Sequence, residues 1–422
     1  MDKLKKKSFD YKYVIIIVCA LMTFVGLGFC SSSKGIFLNP ILEHTGLSAG
    51  LYGFSDTFRF AVTAIVNIFF GTLMNKFGVR KLVGAGFLAL TIAMALYAVS
   101  TTIVGFYLAG IFLGLGIAWT TTTMIGYIVR KWVHKNRGTI MGFILATNGL
   151  GAAFATTLFT PIIQSSATGY KTAYLIIALT VAVLGVLSVI FIKDNKKSSV
   201  QVEDNQKKKR GDSWIGIETK VAFKKSYFYL AIICILLTGL VIQSITAVFI
   251  RHIQKVGVAQ DFQDVIIPAQ MIILTFTKFL TGLMYDKFGL RITISINIVC
   301  SIIAMFAIGF VDTSATGQVL CVLYVITANI ALPLETIMLP IYAGDLFGEK
   351  DYNKMLGYIV SANTVGYALG SPIMGFIFDI FKSYVPAFFG GAVIMIIVFI
   401  IMQFVISGAN KTKKEVQQSA NG

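Results

Sequence analysis

Long apolar stretches separated by short polar segments make up almost all of this 422-residue chain. Each stretch holds about twenty residues or more, enough for an α-helix to cross a hydrocarbon core about 30 Å thick. Glycines within the stretches would weaken a helix in water, but small residues let membrane helices pack closely, so we interpret the stretches as helices rather than strands. The pattern predicts twelve spans, at Tyr13 to Leu38, Ser48 to Met74, Leu82 to Ser100, Ile103 to Val129, Thr139 to Ile163, Thr172 to Ile192, Ser226 to Ile250, Ile266 to Tyr285, Ile292 to Phe310, Gln318 to Ala343, Met355 to Phe378 and Tyr384 to Ile406.

Composition agrees with an all-α integral membrane protein. Hydrophobic residues account for 56% of the chain and charged residues for 13%, whereas about a quarter of the residues of a soluble domain are charged. The cysteines are isolated within the spans, with neither a CxxC spacing nor a nearby histidine, so we expect no disulfide, no metal and no cofactor. They are Cys19, Cys30, Cys234, Cys300 and Cys321.

The net charge of +17 first suggests binding to nucleic acid, but the positions of the charges argue against it. With the amino terminus in the cytoplasm, 29 of the 36 Lys and Arg residues fall in cytoplasmic segments, four fall outside and three lie within spans. This asymmetry follows the positive-inside rule. We therefore predict a multi-pass protein of the cell membrane with both termini cytoplasmic, whose basic segments set the topology and can contact anionic lipid.

A ten-residue sequence occurs twice, half the chain apart. GTLMNKFGVR runs from Gly71 to Arg80 and GLMYDKFGLR from Gly282 to Arg291, an offset of 211 residues. A second echo, at an offset of 215 residues, aligns MGFILATNGLGAA with LGYIVSANTVGYA and pairs Asn148 with Asn363. Two echoes at nearly the same offset indicate a duplicated six-helix unit.

One long polar stretch, from Lys193 to Lys225, divides six spans from six. We predict an amino-terminal six-helix bundle over residues 1–192, a cytoplasmic linker over 193–225 and a carboxy-terminal bundle over 226–422. Halves that start on the same side of the membrane are parallel repeats, and transporters built in this way bind substrates near mid-membrane between the halves. Each decapeptide then joins the second and third helices of its half on the cytoplasmic face.

The doubled loop resembles the signature of the major facilitator superfamily, G-x-x-x-D-K/R-x-G-x-R, over essentially the whole chain. The resemblance implies two pseudo-symmetric six-helix bundles and a role for both loops in the inward gate. The second copy is complete, with Asp286, Lys287 and Arg291, whereas the first copy ends in Arg80 but carries Asn75 in place of aspartate. Because asparagine cannot form the charge pair, the strength of the gate at the first copy is left open.

Two further segments carry a narrower resemblance. GFCSSSKGIFLNPI in the first span, and KWVHKNRGTIMGFILATNGLG between the fourth and fifth spans, are similar to patterns of the monocarboxylate transporters and of the neighbouring oxalate/formate antiporters. These families exchange or cotransport small organic anions, often with a proton, and the resemblance implies the same activity here. We assign Arg137, within the second segment, to the gate.

Ionisable residues inside a span are costly unless paired or hydrated, so each is a functional candidate. Lys278 lies about 10 Å of helix rise from the inner end of the eighth span, where the resembling families place a substrate-binding arginine. Lys34 lies about four residues from the outer end of the first span, where monocarboxylate transporters carry a lysine. We predict that both bind the substrate carboxylate; the alternatives are a structural ion pair or snorkelling for Lys278, and snorkelling for Lys34.

Polar and aromatic residues complete the predicted substrate site. The serines can hydrogen-bond an anion and the tryptophan can supply an apolar wall, although each is also an ordinary packing residue. One asparagine stands where the oxalate branch has a second lysine, and Leu274 stands where monocarboxylate transporters usually have an aspartate, so one cation and a neutral amide suit a single carboxylate. The residues are Ser31, Ser32, Trp119, Asn148 and Asn363.

Three acidic or basic residues remain to be assigned. Glu335 has no local partner and is flanked by Pro333 and Pro340, which loosen the hydrogen bonding of the helix. We predict that Glu335 carries the coupled proton; the alternatives are an ion pair to a cavity cation such as Lys278 and a plain hydrogen-bonding role. Asp56 and Arg59 stand three positions apart on one helix face and either neutralise each other or serve the outer gate and proton transfer.

Three functions compete at this point. A proton-linked carrier of a small monocarboxylate, acting as a monomer by rocking of the two bundles, fits the motifs best. Anion exchange of the oxalate/formate kind is the alternative, and export of a cationic drug is disfavoured by two cavity lysines. The sequence shows no set of nucleophile, base or metal ligands, so we do not expect an enzyme.

Overall fold

The computed structural model describes residues 11–133, 135–192, 214 and 216–419. Among these residues, ten helical stretches are long and apolar enough to cross a membrane. The helix Ala49–Ile68, which carries Asp56 and Arg59, adds a crossing. One stretch, Gln260–Gly309, has 50 residues, roughly 75 Å, and so counts as two crossings joined by a turn. The total is twelve, which confirms the predicted fold class.

The spans of the first half are longer than the apolar pattern alone predicts. The first continues through π- and 3-10-helical turns to Thr45, so the expectation that Lys34 lies near its end is wrong. The helices are Lys12–Thr23 and Leu38–Thr45 (first), Ala49–Ile68 (second), Phe70–Val99 (end of the second, and third), Ile103–Thr120 and Thr122–Trp132 (fourth), Arg137–Gln164 (fifth) and Gly169–Phe191 (sixth).

The second half repeats this order. Its tenth span is interrupted, with a 3-10 turn at Leu332–Glu335 between two α-helices. The helices are Ser226–Val256 (seventh), Gln260–Gly309 (eighth and ninth), Ala315–Ala331 and Met338–Phe347 (tenth), Tyr352–Phe381 (eleventh) and Val385–Ser419 (twelfth).

The two decapeptides turn the chain in the same way. The break between the second and third spans is at Gly78 (φ 76°, ψ 168°), and the break between the eighth and ninth is at Gly289 (φ 75°, ψ −179°), 211 residues later. Glycine adopts this positive φ without the steric penalty of a side chain. The closing arginine of each copy, Arg80 or Arg291, bonds to the last helix of its own half. The duplication is therefore present in the backbone as well as in the sequence.

Each half is held together by a close crossing of its first and fifth helices. A Cβ at Gly151 would overlap the carbonyl oxygen of Phe24, and a Cβ at Gly366 would overlap that of Leu236. Membrane helices gain packing energy where small residues let backbones approach in this way. These two glycines are the pair that the second sequence echo aligns.

The described part of the predicted linker lies against the loop that follows the tenth span. The Ile217 N–H donates to the carbonyl oxygen of Phe347 at 3.0 Å. The N–H and the hydroxyl of Thr219 both donate to the Asp351 carboxylate at 2.7 Å. Residues 193–213, and with them most of the predicted linker, lie outside the described residues.

Candidate functional site: a cavity between the halves

The two halves meet tightly at the end of the molecule that carries the decapeptides, which we call the motif face. Asp286 of the second half accepts hydrogen bonds from the N–H groups of Gly138 and Thr139, at 2.9 and 2.7 Å, and from the Thr139 hydroxyl at 2.6 Å. These N–H groups lie in the first turn of the fifth span, whose own N-cap, Asn136, makes no side-chain cap hydrogen bond. A carboxylate here satisfies free donors and the positive end of the helix dipole.

A second cross-half contact lies beside the first. Arg130 of the fourth span lies 2.7 Å from the Glu349 carboxylate, and Arg137 lies 3.5 Å from the same group. Arg130 also covers Gly344 so closely that a Cβ there would overlap its guanidinium group. Arg137, which is assigned to the gate, thus lies at a contact between the halves. The sequence analysis does not select Glu349 or Arg130 for this contact.

Backbones also approach across the two seams that join the halves. A Cβ at Gly282 would overlap the Gly138 carbonyl group, and a Cβ at Gly71 would come within 2.9 Å of the Lys354 nitrogen. These seams pair the fifth span with the eighth, and the second with the eleventh. The space between the halves is therefore closed toward the motif face.

Above this closure lies a cavity of about 180 Å³ between the halves. It is smaller than the several hundred Å³ of drug-sized sites, which favours a small solute. Its polar lining is Ser31, Arg59, Thr63 and threonines 121–123 from the first half, and Glu335, Asn363, Thr364 and Tyr367 from the second. The cavity brings together Ser31 and Asn363, which are predicted to bind the substrate, and Glu335, which is predicted to carry the proton. It also includes Arg59, which is assigned to a gate.

Arg59 is the cation on the cavity wall. Its Nη1 donates to the Ser31 hydroxyl at 2.6 Å, and its guanidinium carbon lies 4.2 Å from the centre of the Phe60 ring. Its Nε lies 3.2 Å from Oδ1 of Asp56, so the pair expected from the spacing is present. The hydrogen bond and the aromatic contact hold the planar group in one orientation.

Lys34 does not line the cavity. Its ammonium group is 3.0 Å from Asp56 and 3.1 Å from the Ser55 hydroxyl. It also lies 5.2 and 5.0 Å from the ring centres of Tyr52 and Tyr97. The expectation that Lys34 faces the cavity is corrected because its own half supplies the counter-ion and an aromatic enclosure.

Glu335 is buried at the interruption of the tenth span, with 4% of its surface exposed. Pro333 lies at the start of the 3-10 turn Leu332–Glu335, so the helix breaks where the prolines predict. The Asn363 amide donates to Oε2, while Oε1 has no hydrogen bond of ordinary geometry, although Thr238 lies close. No ion pair to Glu335 exists in the described parts of the chain, so the alternative of a pair with Lys278 is wrong for this conformation.

Lys278 lies in the seam between the fifth and eighth spans, outside the cavity lining. It is 4% exposed, and the hydrogen bond of its ammonium group goes to the carbonyl oxygen of Leu145 in the other half, at 3.4 Å. Close packing of Gly142 against the Lys278 backbone covers the side chain. Its predicted role in substrate binding stays a prediction.

The remaining predicted residues lie near the cavity or the motif face. Ser32 donates to Asn148 at 2.9 Å and so joins the first and fifth spans. Trp119 packs against Gly86 of the third span and is absent from the cavity wall. Lys287 lies 5.2 Å from the Phe288 ring centre, and among the described residues Asn75 makes no side-chain hydrogen bond.

Several cavity residues carry no signal in the sequence. Phe60 and Tyr367 face each other across the halves, with ring centres 5.8 Å apart. The Thr63 hydroxyl donates to carbonyl oxygens of Arg59 and Gly114, as many threonines in membrane helices do. Only the packing of one half on the other identifies these side chains as part of a site.

Comparisons with known proteins agree with this architecture. The curated protein "Multidrug resistance protein 2" of Bacillus subtilis (strain 168) is 21% identical over 410 residues, 93% of this chain and 95% of that protein. Among solved structures, the proton:xylose symporter XylE matches with a TM-score of 0.73 at 14% identity, covering 94% of this chain and 97% of that one. The Escherichia coli fucose:proton symporter FucP matches with a TM-score of 0.68 at 15% identity, covering 94% and 99%.

The family pattern extends over nearly the whole chain. The model of the Major Facilitator Superfamily matches residues 16–338 and, in a second match, residues 244–421. The two matches together include both decapeptides, both seams and every residue of the cavity wall. The protein is therefore a multi-pass membrane transporter that belongs to the major facilitator superfamily.

Proposed function

We propose that this transporter carries a small organic anion together with a proton through the cavity between its halves. The observation that supports this proposal is Arg59, a cation held in a fixed orientation on the wall of a small cavity. The family match does not single out the monocarboxylate or the oxalate/formate branch. The anion proposal therefore rests on Arg59 rather than on the two lysines that the resemblance selected.

Charge balance links the anion to the proton. Lys34, Arg59 and Asp56 together carry one positive charge, two cations and one carboxylate, and an ionised Glu335 across the cavity cancels it. A bound anion then adds an unbalanced negative charge, which is costly away from water. Protonation of Glu335 removes this charge, so the anion and the proton bind together.

We assign Lys278 a role in the second state of the transport cycle, in which the cavity opens toward the motif face. In the present state a single carbonyl oxygen accepts from its ammonium group across the seam. When the halves separate at the motif face, which we place on the cytoplasmic side of the cell membrane, this ammonium group faces the widening cavity. The anion then meets Arg59 when the cavity opens away from the motif face and Lys278 when it opens toward it. One chain contains both sites, which is consistent with a working monomer.

Uptake by proteoliposomes tests the proposal. Carboxylates of one to six carbons are offered with and without an imposed pH gradient, and we expect acid-driven accumulation of at least one of them. Arg59→Gln should abolish uptake, since a neutral amide cannot replace the guanidinium charge. Glu335→Gln should retain exchange but lose accumulation driven by the pH gradient.

Arg251→Gln is the matched control, because it removes an exposed cation that does not line the cavity. It should leave uptake unchanged. Full uptake by Arg59→Gln would refute the anion site. Full pH-driven accumulation by Glu335→Gln would refute the coupling.

One observation favours a second candidate, the export of a lipophilic cation. Glu335 is an acidic group on the cavity wall with an unpartnered oxygen, and the similar Bacillus protein is named for multidrug resistance. Efflux of a cationic dye that depends on Glu335 and is indifferent to Arg59→Gln would establish this function instead.

A further inference from the structure

One carboxylate oxygen is shared by two cations beside the cavity. Oδ1 of Asp56 lies 3.0 Å from the Lys34 ammonium group and 3.2 Å from Nε of Arg59. Lys34 and Arg59 approach it from different spans, the first and the second. The Asp56 carboxylate can therefore keep its contact with one cation while its contact with the other breaks.

The two contacts differ in quality. Lys34 donates a hydrogen bond of ordinary geometry to Asp56, and Ser55 and two tyrosine rings hold its ammonium group in place. Nε of Arg59 is buried and has no hydrogen bond, because its contact with Asp56 is close but poorly aligned. A misaligned charge pair is weaker than an aligned, charge-assisted hydrogen bond. Asp56 is therefore bound firmly to Lys34 and loosely to Arg59.

Arg59 is left with an unsatisfied donor. Nη1 donates to the Ser31 hydroxyl, and the Phe60 ring lies against one face of the guanidinium group. These two contacts keep the group on the cavity wall. A buried N–H without an acceptor costs free energy that a well-placed acceptor recovers. A carboxylate with two oxygens in one plane matches the guanidinium fork, whereas a spherical anion does not.

We propose that Asp56 is a built-in carboxylate that balances Arg59 in the empty transporter and yields it to the carboxylate of the substrate. Lys34 is a positioning residue that retains Asp56 in both states. This inference rests on the proposed function, since it takes an anion as the substrate. It assigns carboxylates, rather than halides, as the class of anion, and it makes Asp56 a competitor that lowers the affinity of the site.

The competition predicts an order of affinities. Asp56→Asn removes the competitor, so pyruvate should bind about tenfold more tightly than to the wild-type protein. Lys34→Met leaves Arg59 as the remaining partner of Asp56, so Asp56 should bind Arg59 more firmly and pyruvate should bind several-fold more weakly. Binding is measured by the shift of the thermal unfolding temperature with pyruvate concentration in detergent and by the KM of pyruvate exchange in proteoliposomes. Chloride is the spherical competitor and should not displace pyruvate.

The double variant separates positioning from direct binding. If Lys34 acts only by holding Asp56, then Lys34→Met in the Asp56→Asn background should leave the affinity at the level of Asp56→Asn. If Lys34 binds the substrate itself, the substitution should weaken binding in both backgrounds, which would overturn its positioning role. The double variant also removes one charge of each sign, so it remains informative where a single variant fails to fold. Asp312→Asn, in a loop outside the cavity, is the control.

The result that overturns this inference differs from the one that overturns the proposed function. Loss of binding in Arg59→Gln, with unchanged or weaker binding in Asp56→Asn and in the double variant, would keep the anion site and refute competition by Asp56. Absence of any pyruvate, formate or lactate binding to the wild-type protein would refute the anion substrate and this inference with it.

Discussion

The two decapeptides make the same turn but different contacts across the molecule. Asp286 of the second copy receives three hydrogen bonds from the fifth span of the other half. Asn75, its equivalent in the first copy, makes no side-chain hydrogen bond in the part of the chain that the structure describes. The start of the eleventh span is the place that Asn75 would reach by symmetry. There the carbonyl oxygen of Asp351 accepts from the N–H groups of Lys354 and Met355, and the Asp351 side chain makes no cap hydrogen bond.

This difference shows which parts of a duplicated motif turn the chain and which part joins the two halves. Gly78 and Gly289 turn the chain equally well, since the turn needs only a positive φ. The contact between the halves uses a carboxylate, because the N-cap of the fifth span makes no side-chain cap hydrogen bond and Asp286 accepts from the free N–H groups in its place. Separation of the halves at the second copy therefore breaks three hydrogen bonds to Asp286, whereas separation at the first copy breaks none to the Asn75 side chain in the part of the chain that the structure describes. Three predictions test this asymmetry and a fourth tests the docking of the linker on the second half, from the largest expected effect to the smallest.

Gly282→Ala should open the motif face more than any polar substitution. The new Cβ overlaps the Gly138 carbonyl group, which is backbone and cannot move aside. Overpacking of about 2 kcal/mol would favour the open state by roughly thirtyfold. The measurement is the alkylation rate of a cysteine placed at Leu145 in the seam. Gly71→Ala is the matched control, and it should have less effect because the nearest backbone atom there is 2.9 Å from the new Cβ, compared with 2.1 Å at Gly282. Equal rates for the two variants would contradict the asymmetry.

Asp286→Asn should make the second copy behave like the first. Loss of the charged cap costs about 1 kcal/mol, so the open population should rise roughly fivefold in the same alkylation assay. Asn75→Ala, which removes no hydrogen bond, should change the rate by less than about twofold. A larger effect of Asn75→Ala than of Asp286→Asn would reverse the assignment of the stronger gate.

Asn75→Asp should strengthen the weaker gate slightly. A carboxylate near the start of the eleventh span gains from the helix dipole, typically about 0.5 kcal/mol. In the Asp286→Asn background it should recover part of the closed population, seen as a slower alkylation rate. No recovery would mean that the first copy does not reach the eleventh span.

The linker makes a further contact with the second half, and we expect the stability of this contact to depend only weakly on pH. Burial tends to raise the pKa of Asp351, but the two hydrogen bonds from Thr219, together with the charges of Lys354 and Lys350, outweigh it and leave the pKa below its ordinary value. A lowered pKa in the folded state means that the docking contribution is complete above the ordinary value near 4 and is lost as the pH falls through the lowered one. Limited proteolysis of the linker should therefore be constant from pH 7 to 5 and rise only in stronger acid. Asp351→Asn should raise proteolysis at neutral pH and remove the acid dependence.

Much of the fold of this protein was determined by the sequence alone. Twelve apolar stretches of about twenty residues have the length of membrane-spanning helices, which satisfy their backbone groups internally, whereas a spanning strand needs only about ten residues. The repeated glycines at 78 and 289 allowed the same turn in each half, and the duplication placed a cavity between them. The serine, the asparagine and the glutamate that line it, Ser31, Asn363 and Glu335, were predicted from the cost of polar groups in a span and from resemblance.

Tertiary structure decided which charges face that cavity. Lys34, Lys278 and Arg59 carry the same charge and all lie within spans, so hydropathy cannot rank them. Their roles separate only once Asp56 lies against Lys34, the fifth span covers Lys278, and Ser31 and Phe60 hold Arg59 on the wall. The same is true of Arg130 and Glu349, which form an ion pair across 219 residues of chain. Electrostatic partnership depends on distances of a few ångströms between separate helices, and packing, rather than the order of residues, sets those distances.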